Sequence, residues 1–153
     1  MPDTPRSQLA AFIAKYSPEI AKEGRAALTR MRRLIPGAVQ LVYDNYNGLV
    51  VGFGPTERPS HAVVSILLMP DHLTLCFIDG APSLPDPEKL LKGSGNVVRH
   101  IRLASARDLE RPAICALVNE AVKRADVPFN PRQPSQLVIK SISKKQRPRR
   151  QQL

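Results

Sequence analysis

Lys92-Gly93-Ser94-Gly95-Asn96, followed by Arg99, His100 and Arg102, is the stretch of this sequence whose residue types best suit chemistry. A glycine-rich turn can aim successive backbone N–H groups at an anion, and neighbouring cations reinforce the attraction. The spacing is not that of a P-loop, which places its glycines and lysine between a strand and a helix, whereas this loop leads into a predicted strand. The same residues also meet a plainer need, a helix end at Gly93 followed by a tight turn. A second polar cluster, Tyr43, Asp44, Asn45, Tyr46 and Asn47, sets one carboxylate among phenols and amides and suits a small ligand or a protein partner. Asn-Gly is equally what a hairpin turn demands.

Other chemistries find less support. His61, His72 and His100 fall on different predicted strands with no cysteine or carboxylate at ligand spacing, so no metal site and no cofactor are assigned. No serine or cysteine occupies a nucleophile elbow, and Asp71-His72, as neighbours on a strand, should point to opposite faces rather than pair. No catalytic residue is assigned. Cys76 and Cys115 lie in apolar runs without a CxxC pattern and read as reduced core residues. Six of the ten net positive charges come after residue 139, leaving +4 on residues 1–139. The cations Lys144, Lys145, Arg147, Arg149 and Arg150 could neutralise phosphates, giving weak, salt-dependent nucleic-acid binding.

These groups must be positioned by a chain of 153 residues, enough for one domain with a core built from Val, Leu, Ile and Ala. No apolar run approaches the roughly 18 residues of a bilayer span, and the start of the chain lacks a signal-type apolar segment, so a cytoplasmic protein without membrane contact is expected. Residues 1–6 are expected to be disordered. A short helix from Ser7 to Tyr16 is followed by one opened by Ser17-Pro18-Glu19 and running to about Ile35; Gly24 on its inner face permits close approach to a sheet. Segments 39–45, 49–54, 61–68 and 72–78 read as two hairpins, 86–93 as a short helix, 96–104 as a fifth strand and 108–125 as the last major helix. QLVIKSI at 136–142 reads as an edge strand or docked arm. The expected domain is thus residues 7–142, with 143–153 a flexible basic tail. Its predicted class is α+β: an antiparallel sheet of about five strands with helices packed on one face.

The opening IAKYSPEIAKEGRAALTRMRRLIPGA, the segment VYDNYNGLVVGFGP, the block PDPEKLLKGSGNVVRHIRL and the closing LVIKSISKKQRPRR together resemble the YdhG-like family, a bacterial domain of unknown function. The resemblance spans about residues 8–145 and implies a frataxin-like fold, an α/β sandwich. The residues themselves favour a non-enzymatic binding or adaptor domain, monomeric or homodimeric, meeting an anionic small molecule or a protein near Lys92 to Arg102. The resemblance implies a second reading, a frataxin-like iron chaperone for iron–sulfur cluster assembly. Against the second, the long early helix carries Arg25, Arg30, Arg32 and Arg33 but only Glu19 and Glu23, and no iron ligand is assigned.

Overall fold

The structure is a computed structural model that describes residues 4–151. Thr4 caps the first helix, α1 (Pro5–Ala14), its side chain accepting from the Ser7 N–H at 3.1 Å. Pro5 sits in the first turn, where its missing N–H leaves nothing unpaired. Ser17 repeats the device for α2 (Pro18–Leu34), accepting from the Ile20 N–H. Residues 4–6, expected to be disordered, therefore form a capped helix start; residues 1–3 lie outside the described residues.

Five strands follow in a meander: β1 (Val39–Asp44), β2 (Leu49–Gly54), β3 (Val64–Leu68), β4 (Leu73–Phe77) and β5 (Arg99–Leu103). Then come α3 (Pro112–Lys123) and β6 (Gln136–Ile142). The sheet order is β5-β4-β3-β2-β1-β6, and β6 runs parallel to β1. The sheet is thus six-stranded and mixed, not a purely antiparallel sheet of about five. A parallel neighbour needs a long crossover, which α3 and the proline-rich residues after it provide.

One row of side chains shows how the core is built. Ile139, Val42, Val51, Ile66, Leu75 and Ile101 stand in register across all six strands. They share a core cluster with Leu9, Phe12 and Ile13 of α1, Ala27, Leu28 and Met31 of α2, and Ile114, Leu117 and Val118 of α3. All three helices therefore bury their apolar stripes in one cluster with one face of the sheet. Gly24 makes the close approach predicted for it, since a β-carbon there would lie 2.6 Å from Leu68 Cδ2. The other face carries a smaller cluster of Val39, Leu41 and Ala62.

The predicted helix ending at Gly93 does not form, and residues 85–98 run as a loop. The Asp86 carboxylate takes the Leu90 and Leu91 N–H groups at 2.8 Å each, offering the backbone a partner other than a helical carbonyl. β5 accordingly begins at Arg99 rather than 96, and Val97 and Val98 stay exposed. No helix of the described residues is long and apolar enough to cross a membrane.

Candidate functional site

The glycine-rich loop closes on itself. Lys92 and His100 exchange backbone hydrogen bonds of 2.8 and 3.0 Å, which bends the chain back at Gly93 with φ of +112°, the left-handed region that glycine tolerates. Arg99 Nε donates to the Gly95 carbonyl at 2.9 Å, so this guanidinium holds the turn. Ser94, Gly95 and Asn96 are exposed. Strand alternation sends His100 and Arg102 to the face opposite the helices. Arg102 lies 3.8 Å from Asp71, whose carboxylate is bonded to His72 Nδ1 at 2.6 Å. Asp71 and His72 do pair, contrary to expectation, because β4 begins only at Leu73 and the two sit in the preceding turn. That bond is the main cause holding the Asp71 carboxyl below its ordinary value.

The second predicted cluster lies at the far end of the sheet, since β1 and β5 are separated by three strands, roughly 19 Å at the usual strand spacing. The two clusters do not converge on one ligand. Tyr43 points to the face opposite Asp44, and Tyr46 is an exposed turn residue. Asp44 is wholly buried in an ion-paired clasp rather than offered to a ligand. Lys15 Nζ reaches one carboxylate oxygen at 2.8 Å and Arg149 Nη2 the other at 3.0 Å. Arg149 also donates to the Tyr46 and Asn45 carbonyls and lies 5.8 Å from the centre of the Tyr16 ring. Tyr16 bonds β2 and β3, donating to the Leu68 carbonyl and accepting from the Leu49 N–H, both at 3.0 Å. Burial raises its phenol. Burial alone would also raise Asp44, but hydrogen bonds from Lys15 and Gln146, the Lys15 charge and the Arg149 bond outweigh it and hold the carboxyl below the usual range.

This clasp corrects the expectation of a free tail from residue 143. Ser143 donates to the Asp44 carbonyl and Arg147 to that of Tyr46, each at 2.9 Å, so the chain stays docked through these residues. Of the predicted tail cations, Arg149 is buried, while Lys144, Lys145, Arg147 and Arg150 are exposed. Arg147 stands 5.9 Å from the Tyr46 ring centre, and Arg150 Nε donates to the Lys15 carbonyl. Residues 152 and 153 lie outside the described residues.

A third region was not singled out in the sequence. Between α1, α2 and the β1–β6 edge is a cleft of about 380 Å³. Each helix lines it with one stripe of the same spacing: Arg6, Leu9, Ala10 and Ile13 from α1, and Arg25, Leu28, Thr29 and Arg32 from α2. Positions i, i+3, i+4 and i+7 share a helix face, which is why both stripes converge. Arg32 is half-buried and bonds only neutral groups, Gln40 Oε1 at 3.2 Å and Thr29 Oγ1 at 3.1 Å. Burial, then the positive charge of Arg6, lowers its pKa. No aspartate or glutamate lines the cleft, and among the described residues none of the three arginines has an acidic partner.

Compared with known protein families, curated proteins and solved structures, the chain matches none.

The site must therefore be read from its own residues. Sequence reasoning missed Arg6 and Gln40 and took Arg25 and Arg32 only as charges on the long early helix; Arg25 is exposed, whereas Arg32 is half-buried. The available signal was the repeated Arg-x-x-Leu spacing in consecutive helices, Arg6 to Leu9 and Arg25 to Leu28. Elsewhere, Cys76 and Cys115 are free and half-buried. Burial raises the Cys76 thiol, and Cys115 Sγ donates to the Leu109 carbonyl at 3.1 Å.

Proposed function

We propose that the chain is a non-enzymatic binding domain whose ligand is a small anion held in the cleft between α1, α2 and the β1–β6 edge. The observation that carries this reading is the half-buried Arg32, bonded only to neutral Gln40 and Thr29 and sharing a concave, carboxylate-free wall with the like charge of exposed Arg6. Such an arrangement is electrostatically costly while empty and becomes favourable when an anion enters. The loop at Lys92 to Arg102 is the weaker candidate, because Arg99 is engaged with Gly95 and Arg102 lies near Asp71.

A YdhG-like, frataxin-like affiliation goes with this reading. The antiparallel meander and the single helix layer support it, while the parallel β6 extends the sheet beyond the expected five strands. Neither an iron chaperone nor nucleic-acid binding through the tail has an observation of this strength behind it. Titration of the full chain with sodium phosphate, benzoate and hexanoate, followed by amide NMR, tests the proposal. Shifts should centre on Arg6, Ala10, Arg25, Thr29, Arg32 and Gln40. Shifts confined to residues 92–102 would return the ligand to the loop, and silence with all three probes would remove the anion reading.

A further inference from the structure

We infer that the anion is the head of an amphiphile, a single carboxylate bearing an unbranched aliphatic body. This inference rests on the anion reading above and adds the ligand's other half. α1 and α2 follow one another through a three-residue connection and pack together, so α1 runs back along α2 for about 15 Å from their junction. Arg32 donates to Gln40, which is 3% exposed, and Arg6 lies near enough for its charge to act on Arg32. From there toward the helix junction the floor is aliphatic, with Leu9 and Ile13 on one side and Leu28 on the other, all buried, while Ala10, Thr29 and Arg25 line it as exposed residues.

Arg25 precedes Arg32 by seven residues and stands roughly 10 Å away along the helix axis. It is exposed and lines the cleft about two turns nearer the helix junction. A planar guanidinium pair suits a carboxylate, which accepts two parallel N–H bonds. An inorganic anion would satisfy that end and leave the rest of the cleft to water. A chain attached to the head lies along the aliphatic floor, and its own methylenes leave water. At about 380 Å³ the cleft has space for roughly thirteen non-hydrogen atoms, taking the ~30 Å³ of a water-sized group as the unit.

The test is a calorimetric titration of the full chain with straight-chain carboxylates of four, six, eight and ten carbons, kept below micelle formation, with 1-octanol as the uncharged control. Affinity should rise about three- to four-fold per added methylene, then level off as the chain fills the cleft. Octanol should bind at least ten-fold more weakly than octanoate. Arg32→Gln should weaken every carboxylate. Ala10→Phe, made at an exposed position that intrudes on the wall, should abolish the chain-length dependence while thermal unfolding stays near that of the unaltered chain. A series flat with chain length, yet weakened by Arg32→Gln, would overturn the amphiphile and leave the anion reading standing. Octanol binding as tightly as octanoate would overturn the head assignment, and an unchanged series in Ala10→Phe would overturn the placement of the body. No binding by any carboxylate would overturn both readings.

Discussion

Arginine does opposite work in the clasp and in the cleft. In the clasp, Arg149 and Asp44 are 3% and 0% exposed, and the guanidinium's two terminal nitrogens donate to a carboxylate and two carbonyls, while its buried Nε has no partner among the described residues. In the cleft, Arg6, Arg25 and Arg32 line one wall, and among the described residues the recorded side-chain partners are Gln40 and Thr29, both neutral and both bound by Arg32. A charge that is paired and buried fixes the fold, because removing its partner strands the other ion away from water. A charge that is left unpaired in a concavity keeps its attraction available for something that arrives later. Both regions draw on α1, which gives Lys15 to one and Arg6 to the other.

The contrast breaks most sharply in the clasp. Asp44→Ala should cost about 3–5 kcal/mol, the usual penalty for breaking a buried ion pair, read as a lower urea midpoint at unchanged slope. Arg149→Ala should fall in the same range, since Asp44 would keep only the partly exposed Lys15. A loss under 1 kcal/mol in both would mean that the last residues are not held as described.

The acid limb sharpens the same point. With the Asp44 carboxyl held below its ordinary value, the unfolded chain takes up the proton first as pH falls. The contribution is fully present above about pH 4, the unfolded carboxyl value, and is lost as pH drops through the lower folded value. Asp44→Asn should therefore flatten the stability profile below that point. A profile as steep as that of the unaltered chain would assign acid sensitivity to other carboxylates.

The cleft should answer in binding rather than stability. Arg32→Gln should weaken octanoate at least ten-fold while the urea midpoint moves by no more than about 0.5 kcal/mol equivalent, as is usual for a side chain without a charged partner. The smallest effect belongs to Arg147→Ala. Its guanidinium stacks on Tyr46 in the open, an arrangement worth about 0.5 kcal/mol; a loss above 2 kcal/mol would show the exposed part of the tail to be structural too.

The elements that position both regions were largely legible, for local reasons. Ser17-Pro18-Glu19 carries its own helix start, and the alternation in residues 49–54 and 72–78 carries its own period. The short helix expected before Gly93 was not legible because Asp86 captures two N–H groups four and five residues ahead. The clasp was hidden for a different reason. Asp44 and Arg149 are 105 residues apart, and nothing in a run of tail cations marks the one that will be buried. Composition counts charges but not their partners, so the same reading overstated the tail, passed over Arg6 of α1 and counted the arginines of α2 without finding the cleft they line.

One measurement separates the two roles: thermal unfolding of the unaltered chain, Arg149→Ala and Arg32→Gln, each with and without saturating octanoate. A ligand that binds only the folded state raises the midpoint. The account predicts that Arg149→Ala starts lower yet rises with octanoate as the unaltered chain does, whereas Arg32→Gln starts near the unaltered midpoint and does not rise. An octanoate shift that survives Arg32→Gln, or vanishes in Arg149→Ala, would contradict it.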